Sequence, residues 1–194
     1  MRRPSLALLV PLVLSACGYN RIQTLDEQAA AAKQQIEVQL QRRADLVPNL
    51  VNTVKGYAAH EEAVFTQVAN ARAGLVGAIR SGDPQQQVAA DAQLTGALGR
   101  LLAISEAYPQ LKADQTFLKL QDELSGTENR IAVSRSDYNE AVNAYNAYIR
   151  NFPQKITASL TGAKPRVYYD APASSEAAPT VDFSKPAAPP ATPK

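Results

Sequence analysis

The chain has no tryptophan, one methionine, one histidine (His60) and one cysteine (Cys17). A lone cysteine cannot close an intramolecular disulfide, and it excludes a metal centre built on several thiolates. A lone histidine excludes any site that needs two imidazoles, and it leaves the scattered serines without a base for a hydrolytic triad except at His60. No segment interleaves lysine and arginine with aromatics, so nucleic acid is not an expected partner. With only four phenylalanines and eight tyrosines, a core must be built mainly from Ala, Leu, Val and Ile, which suits closely packed helices. Charge of either sign is not in excess, 20 Lys and Arg standing against 18 Asp and Glu. The 194 residues leave room for one ordinary domain.

What is present begins with an address. Arg2 and Arg3 form a positive start, and Leu6 to Leu14 form an apolar run, broken by Pro11, too short to span a bilayer. Leu14-Ser15-Ala16-Cys17-Gly18 follows. It resembles the bacterial lipobox, in which small residues ahead of an obligatory cysteine admit a dedicated peptidase. The resemblance implies that residues 1–16 are a signal peptide, that Cys17 becomes the mature N-terminus, and that its sulfur carries a diacylglycerol with palmitate-type chains. Each buried methylene contributes ~0.8 kcal/mol and one chain anchors only marginally, so durable attachment takes two or three. The expected location is a bacterial membrane, facing the periplasm or the outside. Gly18 in place of Asp after the cysteine points to the outer of two membranes.

After an expected lipid-anchored linker at 17–23, helical periodicity runs from about Thr24 to Phe152. The first stripe is Leu25, Ala29, Ala32, Ile36, Leu40, Val47, Leu50, Val51, Val54 and Tyr57. Pro48 removes one backbone donor within it, which predicts a kink there, with the helix ending near Gly56. A second helix is predicted over Glu61–Ile79. Gly82-Asp83-Pro84 then supplies a stop, a cap and a first-turn proline for a third helix, Pro84 to Tyr108. The fourth is predicted from a cap at Asp114 to Phe152, on a near-heptad seam of Phe117, Leu120, Leu124, Ile131, Tyr138, Val142, Tyr145, Ile149 and Phe152. Gly126 within it marks a kink or a close helix contact. The expected fold is all-α, an antiparallel four-helix bundle of long, coiled-coil-like helices over 24–169. Residues 170–194 are rich in Ala and Pro, the composition of a disordered tail, although Val167-Tyr168-Tyr169 just before them can still pack.

The run from Gln39 through Arg42-Arg43-Ala44-Asp45-Leu46-Val47-Pro48-Asn49 to His60-Glu61 resembles the signature of the LemA family. So do Leu102 to Ala113, Leu120 to Leu124, Thr127-Glu128-Asn129-Arg130-Ile131, Tyr138-Asn139, Tyr145-Asn146, Lys164-Pro165-Arg166 and Val181-Asp182-Phe183. The resemblance spans roughly Tyr19 to Tyr169. It implies a helical bundle tethered to a membrane by an N-terminal hydrophobic segment, here replaced by the lipobox. It brings no catalytic residue, cofactor or ligand set with it.

The residues themselves offer one polar cluster, Arg42, Arg43, Asp45 and Asn49 around Pro48 with Glu128, Asn129 and Arg130 on the last helix; Glu128 and Arg135 fall on or near its apolar seam. One reading makes the cluster a ligand pocket, an enzyme site or a docking patch. The favoured reading is structural: the carbonyl four residues before Pro48 loses its donor, and a nearby arginine or asparagine can supply one, while paired buried charges fix helix register. His60-Glu61-Glu62 lacks the His-Glu-x-x-His spacing of a zinc protease and suits a helix start instead. The expectation is therefore a non-enzymatic envelope protein without metal or cofactor. It is held to the membrane through lipid on Cys17, and it presents a helical surface to an envelope partner or to further copies of itself.

Overall fold

The computed structural model describes residues 6–169, with side chains from Gly18 onward. Arg2 and Arg3, the Cys17 side chain and the stretch 170–194 lie outside the described residues. Six helices follow one another: α1 (Leu6–Lys55), α2 (Glu62–Ser81), α3 (Pro84–Ile104), α4 (Pro109–Lys112), α5 (Gln115–Arg150) and α6 (Gln154–Thr161). There is no strand among the described residues, so the all-helical class holds. Residues 18–23, expected as a linker, belong to α1, and Ile22 there is buried. None of the helices among the described residues is long and apolar enough to cross a membrane.

Most boundaries follow from local chemistry. Gly82 closes α2 in the left-handed region at φ 67°, which a side chain would disfavour, and its N–H reaches the Ile79 carbonyl. Asp83 then caps α3 by accepting from the Gln85 and Gln86 amides, with Pro84 in the first turn. Asp114 caps α5 through the Phe117 amide at 2.9 Å.

Two expected ends moved. α3 stops at Ile104, short of Tyr108, because Tyr108 precedes Pro109 and swings out of the helical region to φ −125°, ψ 84°. The chain crosses that corner in one 3-10 turn, Ser105–Ala107, before Pro109 opens α4. α5 stops at Arg150, so Phe152 lies past its end and is 82% exposed, not on the buried seam. Tyr57 also falls beyond its helix and is exposed.

Contacts set the directions of the four long helices. Ile22 packs in one cluster with Ile149, Arg43 meets Glu128 and Tyr57 meets Asp114, so α5 descends as α1 rises. Lys33 bonds to Gly82 and Arg72 to Ala44, which makes α2 antiparallel to α1. Arg100 reaches Gln67 at 2.7 Å across the α2–α3 hairpin. Glu37 meets Gln87 and Arg43 meets Asp91, so α3 runs parallel to α1. The main core lies among these four, with Ile36, Leu40, Leu50, Leu75, Leu94, Leu101 and Ile131 all sealed. A smaller cluster of Ile22, Leu25, Tyr145, Ile149 and Ala158 occupies the Gly18 end.

After α6 the chain returns along α5 as a non-helical strap, residues 163–169. Asn146 grips it by donating to the Arg166 carbonyl and accepting from the Arg166 amide, both at 2.9 Å. Asn139 holds Tyr169 in the same two-bond way, again at 2.9 Å each, and the Tyr138 hydroxyl donates to the Val167 carbonyl at 2.8 Å. These side-chain amides satisfy a backbone that has no helix or sheet of its own. The Tyr169 ring is buried edge-on against Tyr138, centroids 5.0 Å apart.

Gly126 does not mark a close helix contact: a Cβ built there meets nothing within 4 Å. Gly126→Ala is therefore expected to stabilise the protein by about 0.5–1 kcal/mol through helix propensity alone. Urea unfolding checks this, and a loss of stability would mean that α5 needs the glycine.

Candidate functional site

The residues singled out around Pro48 do not converge. Arg42, Asp45 and Asn49 are exposed on α1, where they edge a shallow depression with Val38 and Leu46. Asp45 accepts from Gln41 at 2.8 Å and lies 3.9 Å from Arg72. Glu128, Asn129 and Arg130 are exposed on α5. Arg43 alone turns inward, with 3% of its surface exposed.

Arg43 is one member of a buried ion network. Its Nη1 donates to Asp91 Oδ1 at 2.8 Å and its Nη2 to Thr95 Oγ1 at 3.0 Å. Arg135 Nη2 donates to the other Asp91 oxygen at 3.0 Å. One carboxylate on α3 thus serves two guanidiniums, from α1 and α5. The Nε atoms of both arginines are buried without an acceptor, so the network leans on Asp91. The Arg43–Glu128 approach is looser, 3.6 Å, and Glu128 is more than half exposed. The sealed pair therefore joins the first and third helices, and its carboxylate lies outside the cluster singled out from the sequence.

Below it a second chain of polar contacts crosses the core. Gln87, fully buried, donates to Glu37 Oε1 at 3.1 Å and accepts from the Tyr169 hydroxyl. Burial first, then the charge of Glu37, raises the Tyr169 pKa well above its ordinary value of 10.0. Burial also raises Tyr138 and Tyr145. Beside the strap, Arg166 Nε reaches Asp26 at 2.7 Å, and that bond strengthens its hold on its proton.

α1 is helical on both sides of Pro48, and the carbonyl left without a donor, that of Ala44, accepts from Arg72 Nε at 2.7 Å. An arginine does supply the missing bond, but from α2, not from the neighbouring Arg42 or Arg43. Next to it α1 and α2 leave a groove of about 620 Å³ floored by Val47, Pro48, Val51 and Phe65, with Lys55 5.2 Å over the Phe65 ring. His60 is exposed in the α1–α2 turn, and no group of three or more His, Cys, Asp or Glu gathers to hold a metal ion among the described residues.

Asp91 and Gln87 escaped the sequence reading although a signal was there. They continue the Leu94, Leu98, Leu101 spacing backward by steps of three and four, which puts both on the seam. A charge on a seam is the same signal that marked Arg135. Nothing local marked Thr95.

Comparison with known proteins returns a family and three relatives. The model of the LemA family matches residues 32–183. "Magnetosome protein MamQ 2" and "Magnetosome protein MamQ 1" of Paramagnetospirillum magneticum are each 32% identical over 199 residues, covering 87% of this chain and 73% of theirs. "Magnetosome protein MamQ" of Magnetospirillum gryphiswaldense is 32% identical over 187 residues, 84% of this chain and 68% of its own.

Two outcomes follow from the geometry. Asp91→Ala strands two guanidiniums and is expected to cost about 3–5 kcal/mol in urea unfolding. Adding Arg43→Met should cost less than the sum of the single changes, and strict additivity would show that the two groups are uncoupled. The second outcome concerns pH. The folded state resists ionising Tyr169, so the stability this confers is complete below the unfolded value near 10 and is lost as pH rises beyond it. Tyr169→Phe should flatten that alkaline fall, whereas an unchanged pH profile would mean that Tyr169 ionises freely in the fold.

Proposed function

We propose that this chain, which belongs to the LemA family, is a lipid-anchored envelope protein whose helical domain works as a non-enzymatic interaction or scaffold module. Family membership and the likeness to the magnetosome proteins support association with a membrane. The anchor is assigned to acyl chains on Cys17, with the domain facing the periplasm or the outside. One observation favours a scaffold over an enzyme: the strongest charges inside the domain are closed upon each other. Asp91, 5% exposed, has both oxygens engaged by Arg43 and Arg135. A general base or a ligand-binding carboxylate must meet its substrate, and this one is sealed. The candidate carboxylates Asp45 and Glu128 are open to solvent but stand apart on different helices.

A ligand-binding reading keeps one specific support, the groove beside Pro48 with Lys55 and Arg72 at its edge. Binding there would leave the Asp91 network untouched, so the two readings separate. Under the scaffold reading, substitutions at Lys55 and Arg72 alter partner association without altering the turnover of any small molecule.

The anchor has a direct test. Protein purified from membranes should have a mass that begins at Cys17 and includes two or three acyl chains, and Cys17→Ser should accumulate as the uncleaved, unacylated precursor. An unmodified Cys17 in the native protein would overturn the assignment.

A further inference from the structure

We infer that the Gly18 end of the domain is a membrane-docking face, with Phe152, Ile156 and Leu160 entering the interface of an anionic bilayer. This rests on the anchored reading above and adds which end of the domain lies on the membrane.

The face is two-sided. Ile156 and Leu160, 54% and 82% exposed, stand four residues apart on α6 and so share one face of it, and Phe152, 82% exposed, lies in the turn two residues ahead of the helix. The opposite side is held: Ala158 is buried in the cluster of Ile22, Leu25, Tyr145 and Ile149. Large apolar side chains exposed elsewhere on the long helices, such as Val38, Leu118 and Val133, are scattered singly and call for no partner. Here three lie within nine residues of one another, and exposed Tyr19 on α1 adds the residue type that favours a headgroup layer.

Charge names the occupant. The chain as a whole is nearly balanced, yet it carries no acidic residue between Glu140 and Asp170. Arg150, Lys155 and Lys164 are exposed there, with Arg21 exposed on α1, while Arg166 is tied to Asp26. An apolar stripe flanked by cations is the composition of a helix lying in a bilayer interface, and it is drawn to anionic headgroups. The same cations oppose pairing of this face with a second copy of itself.

Position agrees. α6 packs on α1 at its first described side chain: a Cβ at Gly18 would stand 3.6 Å from Thr157 Oγ1. α6, which carries Ile156 and Leu160, therefore lies against the residue that follows Cys17, the assigned point of acyl attachment.

The absence of native tryptophan makes the test clean. Leu160→Trp and, as a control on α5, Val133→Trp are placed singly in the full chain. Each is mixed with vesicles of equal parts phosphatidylcholine and phosphatidylglycerol, with or without bromine on the acyl chains. For chains that float with the vesicles, Leu160→Trp emission should shift to the blue and be quenched at least twofold by bromine, while Val133→Trp should show neither change. Lys155→Glu with Lys164→Glu should reduce the quenching. The titration is repeated with Cys17→Ser: quenching lost only in that chain means the anchor supplies the proximity, and the docking face stands. Leu160→Trp emission that vesicles leave unchanged in both chains overturns the inference. So does a blue shift that grows with protein concentration without vesicles, because a second copy would then cover the face.

Discussion

Taking a carboxylate out of water costs several kilocalories per mole before any partner is found, and Asp91 sits where nearly the whole core has already been closed to solvent. It is tolerated because α1 and α5 each bring a guanidinium to it, at 2.8 and 3.0 Å. Cohesion comes from elsewhere: each fully buried leucine, such as Leu40, Leu50, Leu94 or Leu101, contributes ~1.5–3 kcal/mol. What the ion network adds is selectivity. Leucine seams accept a one-turn slip at modest cost, but slipping α3 by one turn would strand Asp91 and both arginines together. The pairings of Glu37 with Gln87 and of Gln87 with Tyr169 obey the same register. The strap can therefore dock only on correctly assembled helices.

Pro48 imposes a second constraint with a local remedy. A proline inside a 50-residue helix removes a hydrogen bond that water cannot replace, because Ala44 is buried. Arg72 fills the gap, tying α2 to the defect. The groove beside it has Pro48 in its lining, so the inter-helix bond and the concavity lie together on α1.

The long helices were legible because their information is local. Stripes at three- and four-residue spacing, Asp83 and Asp114 as caps, and Gly82 as a stop act within one or two turns, and the structure keeps them except for Tyr57 and Phe152 at the stripe ends. Features that depend on distant partners were not legible. The Asn139 and Asn146 side chains do not disclose that they will clasp residues 30 and 20 positions away. α6 has eight residues, too few for a stripe to stand out after Pro153. Of the polar set near Pro48, only Arg43 is buried, since helix phase separates it from Arg42 by about 100°. The stretch that resembles the LemA family contains Tyr138-Asn139 and Tyr145-Asn146, the same pairs that hold the strap and pack beneath it.

The strap also fixes how the domain would carry mechanical load. From Arg166 to Tyr169 it runs opposite to α5, away from the Gly18 end, fastened at Asn146, Tyr138 and Asn139. A pull on the chain beyond Tyr169 directed away from that end is parallel to the strap and stretches these fastenings together, in shear. The same pull directed back toward the Gly18 end reaches Tyr169 first and opens them one after another, as a zipper. The domain is thus stronger in tension along one direction than along the other, an anisotropy set by the order in which two asparagines meet a short segment of backbone.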